Sequence, residues 1–177
     1  MIGSDNMNEF NEAMFKTKVD NIFVKIYTAI TEQDLTEVEH FMSSSLKEQL
    51  EKKIDNLKSN QQREIYDEIN VKDTAILKRE IKDDKEIVTV KIISRYMDYI
   101  MDDNTGDTIS GDDTRRIEKN NILTFEKSTN AKDIGLVRKC PGCGASISVN
   151  TTGKCEYCGT IFNQEDYDYV LVSINVM

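Results

Sequence analysis

The sequence predicts an α+β fold: helices first, then long antiparallel strands, with a small metal-binding insert ahead of the last strand. Three observations carry this. Apolar residues recur at three- and four-residue steps through roughly the first sixty positions. From about residue 69 the period shifts toward alternation, in segments rich in Val, Ile, Thr and Tyr. All four cysteines fall in two matched pairs near the C-terminus.

Phe15, Val19, Ile22, Phe23, Ile26, Tyr27 and Ile30 form one apolar stripe, which predicts an amphipathic helix over about residues 9–31. Asp34 followed by Glu37 reads as a capping box opening a second helix over about 34–42, through Leu35, Val38 and Phe41. Ser45 followed by Glu48 repeats the signal for a third helix over about 45–59, with the stripe Leu46, Leu50, Ile54, Leu57. The single proline, Pro141, lies inside a cysteine pair and interrupts none of them.

Strands are expected over about 69–81, 85–102, 108–127 and 167–176. Asp83-Asp84 and the run 102–107 are the joints, and Ser110-Gly111-Asp112 reads as a bulge. In the final strand Tyr169, Leu171, Ser173 and Asn175 fall on one face and Val170, Val172, Ile174 and Val176 on the other. The larger domain needs this strand, so it is read as discontinuous, 1–135 plus 166–177, with an insert at 136–165. Residues 1–8 read as a loose polar lead and 128–133 as a linker.

The insert carries Cys140-Pro-Gly-Cys143-Gly144 and Cys155-Glu-Tyr-Cys158-Gly159, eleven residues apart. Two residues between paired cysteines let a tight turn aim both sulfurs at one point. A tetrahedron of thiolates at about 2.3 Å suits Zn2+. Gly144 and Gly159 supply the positive φ such turns need. Lys139 and Lys154 offset the negative charge of four thiolates on a divalent ion. The pattern is a zinc ribbon with one structural zinc ligated by Cys140, Cys143, Cys155 and Cys158, with Thr160-Ile161-Phe162 as its return strand. Iron in a rubredoxin-like site satisfies the same chemistry. A pair of disulfides suits a secreted mini-domain, and the chain reads without a signal peptide or any further cysteine. Four sulfurs leave no open position for water, which argues against catalytic zinc.

Net charge is −9, from 32 acidic and 23 basic residues. Nucleic-acid binding needs clustered Lys and Arg, and the ribbon offers only Arg138, Lys139 and Lys154. Nucleic acid is therefore not an expected partner, nor is an anionic membrane surface. No run approaches the roughly 18–20 apolar residues that span a bilayer. Reduced, metal-bound cysteines fit a cytoplasmic setting.

The order of elements resembles a known fold. An N-terminal helical hairpin laid across a curved antiparallel sheet is the cone-shaped, cystatin-like fold of the nuclear-transport-factor-two-like superfamily. Within it, the chain resembles the domain of the mitochondrial inner-membrane translocase subunit forty-four and its bacterial relatives. The resemblance rests on Phe23-Val-Lys-Ile-Tyr-Thr-Ala-Ile30, Asp34-Leu-Thr-Glu-Val-Glu-His-Phe41 and Tyr96-Met-Asp-Tyr99. It continues through Asn104-Thr-Gly106, Ile109-Ser-Gly111, Ile122-Leu-Thr-Phe125 and Tyr167-Asp-Tyr-Val-Leu-Val-Ser-Ile174. Some bacterial members carry a four-cysteine ribbon just before the closing strand. The family often places Trp near the positions of Thr124 or Tyr169, and this chain has no Trp. The resemblance implies a domain fold rather than an activity. The mitochondrial role at a membrane rests partly on a basic N-terminal region, which this sequence lacks.

Two functional readings follow. The leading one is a non-catalytic, zinc-stabilised protein-binding or assembly domain with an unidentified protein partner. The sheet is also a candidate surface for homodimer formation. The alternative is a small-molecule-binding pocket protein or isomerase-like enzyme, since ketosteroid isomerase builds its active site in the same cone with a base and an oxyanion donor. Tyr27, Tyr96 and Asp98 are the candidate pocket residues here. Tyr96, Asp98 and Ile100 share a strand face, and on the outer side they would simply be solvated. His40, the only histidine, has no catalytic set around it in the sequence, and no catalytic residue is assigned. The run 102–107 has Gly106 out of register for a calcium loop and reads as a hairpin turn. Met42, Met97 and Met101 read as core filler or edge contacts, and the acidic stretches 64–73 and 102–113 as solvated faces.

Overall fold

The computed structural model describes residues 10–129, 137–139, 143, 146–148, 157–159 and 168–177, with 137–139 and 146–148 as backbone alone. Helix α1 spans Glu12–Glu32. Asn11 caps it by accepting the Met14 N–H at 2.9 Å. Its stripe is buried from Phe15 to Ile30, as the periodicity requires. Gln33 ends the helix in the left-handed conformation (φ 59°), and the Asp34 N–H returns to the Ala29 carbonyl at 3.1 Å.

The expected helix over 34–42 is instead a turn followed by one 3-10 turn, Glu39–Phe41. The Asp34 carboxylate accepts the Thr36 N–H at 3.0 Å, which closes an Asx turn rather than a helix cap. So short a segment cannot offset helix nucleation on its own. It is tied elsewhere: Met42 bridges Leu171, and the Ser43 N–H donates to the Leu171 carbonyl at 2.9 Å. Leu35, Val38 and Met42 are buried all the same. Helix α2, Ser44–Ser59, is capped by Ser43, whose hydroxyl accepts the Leu46 N–H at 3.2 Å. Ser45, the expected cap, lies inside the helix.

Four antiparallel strands form one sheet: β1 Gln62–Lys82, β2 Lys85–Asp102, β3 Thr108–Ser128 and β6 Val170–Val176, in the order β1-β2-β3-β6. A two-stranded hairpin, β4 Val137–Lys139 with β5 Ser146–Ser148, falls between β3 and β6 in the chain. Asp83 and Asp84 both take positive φ (52° and 62°), as a two-residue hairpin turn demands. The 102–107 joint is a turn, with Asp102 accepting the Asn104 and Thr105 N–H groups at 2.7 and 3.1 Å.

Bulges bend the sheet. Tyr96 and Asp98 pair with Ile117 and Asp112, so β3 carries three extra residues against one step of β2. Gly111 sits at φ +87° opposite Tyr99, where an added Cβ would lie 2.6 Å from the Tyr99 Cα. The bulge expected over 110–112 is displaced: Ser110, Gly111 and Asp112 pair in unbroken register with Ile100, Tyr99 and Asp98, and the irregularities flank them, at Ile109 and between Asp112 and Ile117.

β1 begins seven residues earlier than the alternation suggests. The early residues pair with β2, from Gln62 opposite Asp102 to Asp67 opposite Met97. They are also tied to the end of α1. The Gln33 amide donates to the Gln62 carbonyl (2.9 Å), Arg63 to the Thr31 carbonyl (2.8 Å), and the Tyr66 N–H to the Thr31 hydroxyl (3.0 Å). In β6 the expected alternation also fails. A bulge at Val172 lets Val170 and Leu171 both be buried.

Both helices pack on the concave face. α1 and α2 lie against β1, and α2 also meets β6. Val88, Val90, Ile92, Leu123 and Phe125 are fully buried beneath them. Phe15 meets the Phe125 ring edge-on at 5.6 Å and Tyr169 at 4.9 Å. Two helices on a curved, four-stranded antiparallel sheet make the α+β architecture the sequence predicts.

Candidate functional site

Two regions carry chemistry. The first is the cysteine insert. β4 and β5 pair antiparallel, Val137 opposite Ser148 and Lys139 opposite Ser146. Cys143 lies in a turn between them in the chain, and Cys158 lies in a second turn; both are exposed. Gly159 follows Cys158 at φ +78°, a backbone state that favours glycine and suits a metal knuckle. Cys140, Cys155, Gly144, Lys154 and the expected return strand 160–162 lie outside the described residues. Among the described residues no three His, Cys, Asp or Glu side chains gather as a metal site.

The second region is a cleft of about 430 Å³ where the curled ends of β2 and β3 run out beyond the helices. Alternation decides its lining. Inward positions on β2 run Val88, Val90, Ile92, Ser94, Tyr96 and Asp98, and on β3 Phe125, Leu123, Asn121, Lys119 and Ile117. The inward residues are apolar near the helices and, Ile117 apart, polar toward the cleft. Tyr96 and Asp98 therefore face the concave side, which removes the reading of them as solvated outer residues. Tyr66 pairs with Asp98 and Glu64 with Ile100, so both point the same way from β1.

These side chains form one network. Tyr27 from α1 is buried and accepts the Asn121 amide at 2.6 Å. Its ring lies 4.5 Å from Tyr66 and 5.6 Å from Tyr96, and Tyr66 meets Tyr96 edge-on at 5.6 Å. Lys53 from α2 donates to the Tyr66 hydroxyl at 3.0 Å and pairs with Glu64 at 2.5 Å. Ser94 Oγ and Asn121 Oδ1 are fully buried with no hydrogen-bond partner among the described residues.

Burial, then the hydrogen bond and charge of Glu64, push the Asp98 carboxyl up to about 7. Burial works against the Glu64 charge as well. Hydrogen bonds from Asp98, Lys53 and Tyr66 outweigh it, and the Glu64 carboxyl sits below the usual glutamate range. The two share one proton near neutral pH, and Asp98 holds it. Burial raises all three tyrosine hydroxyls, which stay protonated.

The structure places Tyr96 and Asp98 on the cleft lining and Tyr27 behind them, in one network. Glu64 is a correction: it belongs to this network rather than to a solvated acidic face. Lys53, Tyr66, Ser94, Lys119 and Asn121 were not foreseen. Their signal was available, since Ser94 and Asn121 are polar residues at inward positions of otherwise apolar alternating strands. His40 is half-buried on the 3-10 turn, its ring 3.9 Å from that of Phe41, and it does not line the cleft. A separate depression of about 530 Å³ on the outer side of α1 runs past Met14, Lys25 and Phe41 and contains the Lys18–Asp168 ion pair.

Residues 5–135 match the Tim44-like domain family. The chain belongs to that family. The match takes in α1, α2, the first three strands and every residue of the tyrosine–carboxyl network. All four cysteines and β6 come after the Tim44-like match. A search of the curated proteins finds none that matches the chain. Among the described residues of this Tim44-like chain, no helix is long and apolar enough to cross a membrane.

Proposed function

We propose that the chain is a non-catalytic protein-binding or assembly domain of the cytoplasm, from the bacterial branch of its family, with an inserted ribbon held by one structural zinc ion. The observation that carries the reading is the Tim44-like match over residues 5–135. The ribbon part is supported by the β4–β5 hairpin, the two exposed cysteines in separate turns and the positive φ of Gly159. In this reading Cys140, Cys143, Cys155 and Cys158 are the ligands, and the metal supplies local folding free energy rather than chemistry.

Metal content by emission spectrometry tests the zinc. One zinc per chain is expected in the wild type and a strong loss in Cys140→Ser and Cys155→Ser, while far-UV circular dichroism keeps most of its helix and sheet signal. Full zinc content in both variants would refute the four-ligand site. Affinity capture with the purified chain tests the assembly role: a reproducible stoichiometric protein partner supports it. The absence of any partner, together with turnover of a small substrate, overturns it.

A second reading has its own support. The cleft lined by Glu64, Tyr96 and Asp98, with Tyr27 behind it, is a concave site of mixed polar and apolar lining with a perturbed carboxyl. That is the arrangement of a small-molecule pocket or an isomerase-like site.

A further inference from the structure

The outer side of β1 and the part of β3 that runs past β6 are both open sheet edges among the described residues. They differ in kind. β1 shifts register three times against β2, between Asp67 and Asn70, Val71 and Asp73, and Ile76 and Lys78. Bulges of this sort turn an edge strand away from further pairing. β3 is regular where β6 leaves it. β6 pairs with it only over Asn121 to Glu126, and the Met177 N–H then reaches the Asn120 carbonyl at 2.8 Å. Below that rung β3 keeps its register with β2, Lys119 opposite Ser94, Glu118 opposite Arg95 and Ile117 opposite Tyr96.

The ladder fixes what this edge offers. In antiparallel pairing, successive residues turn their N–H and C=O to alternate sides. Asn120 turns them toward β6, so Glu118 presents both to the open edge. Side chains alternate as well. Lys119 and Ile117 lie on the concave face with Asn121 and Val176, and they line the β3 side of the cleft. Ile117 is 41 % exposed and Val176 57 %. Neighbouring charges are matched, Asp112 with Arg115 and Glu118 with Lys72. Lys119 makes no ion pair among the described residues, and the carboxyl it acts on, Asp98, is the one that keeps its proton. Past Ile117 the extra residues of β3 interrupt the edge. The regular run, Ile117 to Asn120, is too short to join two copies along β3, and it suits one short strand.

We propose that an extended segment of a partner protein adds to this edge as a short antiparallel strand in line with β6, with an acidic side chain opposite Lys119 and an apolar one opposite Ile117. Main-chain bonds to Glu118 give affinity, and the two inward side chains give specificity. The net charge of −9 disfavours an acidic tract, so a single acid among neutral residues is expected. This rests on the protein-binding reading and names the surface and the kind of segment it takes.

The test is NMR titration of the full isotope-labelled chain with the peptide acetyl-Thr-Glu-Thr-Val-Thr-Thr-amide. The peptide is expected to shift the Ile117 and Lys119 signals and to slow hydrogen exchange at the Glu118 N–H. A peptide N-methylated at the Thr between Glu and Val cannot donate to the Glu118 carbonyl, and it should bind at least about tenfold more weakly. Glu118→Pro removes an N–H that faces away from β2, so circular dichroism should show the fold kept and peptide binding should fall at least about tenfold. Lys119→Glu should weaken the Glu peptide and strengthen its Lys counterpart, a swap that a folding defect does not produce. An unprotected Glu118 N–H, or equal binding by wild type and Glu118→Pro, overturns the proposal. So does self-association of the wild type that Glu118→Pro abolishes, which makes the occupant a second copy. In affinity capture, a stoichiometric partner that Glu118→Pro still holds puts the interface elsewhere and leaves the assembly reading standing. No partner for the wild type and no peptide bound ends both.

Discussion

Asp98 holds a proton that an ordinary aspartate has lost by about pH 5. Its folded value of about 7 lies above the unfolded one, so between roughly pH 4 and pH 7 the folded chain binds more protons than the unfolded chain. This residue alone therefore makes stability fall as pH rises through that window, with no further change above it. Glu64, held below its usual range, acts oppositely in acid: its contribution is lost as pH drops through its folded value. Asp98→Asn should flatten the decline and leave the variant more stable at about pH 8, on the order of 1–2 kcal/mol once solvent screening of a half-exposed pair is allowed for. Urea unfolding at several pH values reads this directly, and an unchanged slope would refute it. Asp98 itself was legible from the strand pattern. Its partner was not, because Glu64 sits in a charged stretch, Gln62 to Glu68, whose sequence resembles a solvated loop. Only the pairing of that stretch with β2 turns Glu64 inward.

Among the elements, α1 was the most readable, because its stripe is long and its burial follows the 3.6-residue period. The signals that failed are the short-range ones. Three serines stand in succession, Ser43 to Ser45, and a capping box selects Ser45, yet the backbone enters the helix from Ser43. What decides it is the Ser43 N–H bonded to Leu171, a contact from the far end of the chain. Ser43→Ala should therefore cost about 0.5–2 kcal/mol. Ser45→Ala, on the exposed first turn, should lie within about 0.5 kcal/mol of wild type. Chemical denaturation of the pair discriminates the two caps. The segment between α1 and α2 failed as a helix for a similar reason: Leu35, Val38 and Met42 are buried by the sheet and by β6, not by a helical face of their own.

For the whole molecule, the critical joint is β6. Leu171 is fully buried, pairs with Phe125, and receives both Met42 and Ser43. Leu171→Ala should destabilise the domain by about 2–5 kcal/mol, since it opens a cavity where sheet, 3-10 turn and α2 meet. A thermal or urea transition checks this, and a loss under about 0.5 kcal/mol would contradict the arrangement. The sequence showed that a last strand was needed. It did not show the bulge at Val172, because a one-residue insertion leaves no mark on composition and only shifts which side chains face inward.

The distance along the chain from β3 to β6 has a consequence for synthesis. As the polypeptide emerges, β1, β2 and β3 can pair in order, each with the strand just made. The outer side of β3 must wait for everything between Ser128 and Val170. At roughly 5–20 residues per second the nascent sheet spends seconds with that edge bare, and a neighbouring nascent chain on the same polysome offers an identical β6. The hazard is strand exchange between sibling chains, a dimer made by timing rather than by affinity. A β4–β5 hairpin that folds early would shorten the tether and bring each chain's own β6 home first.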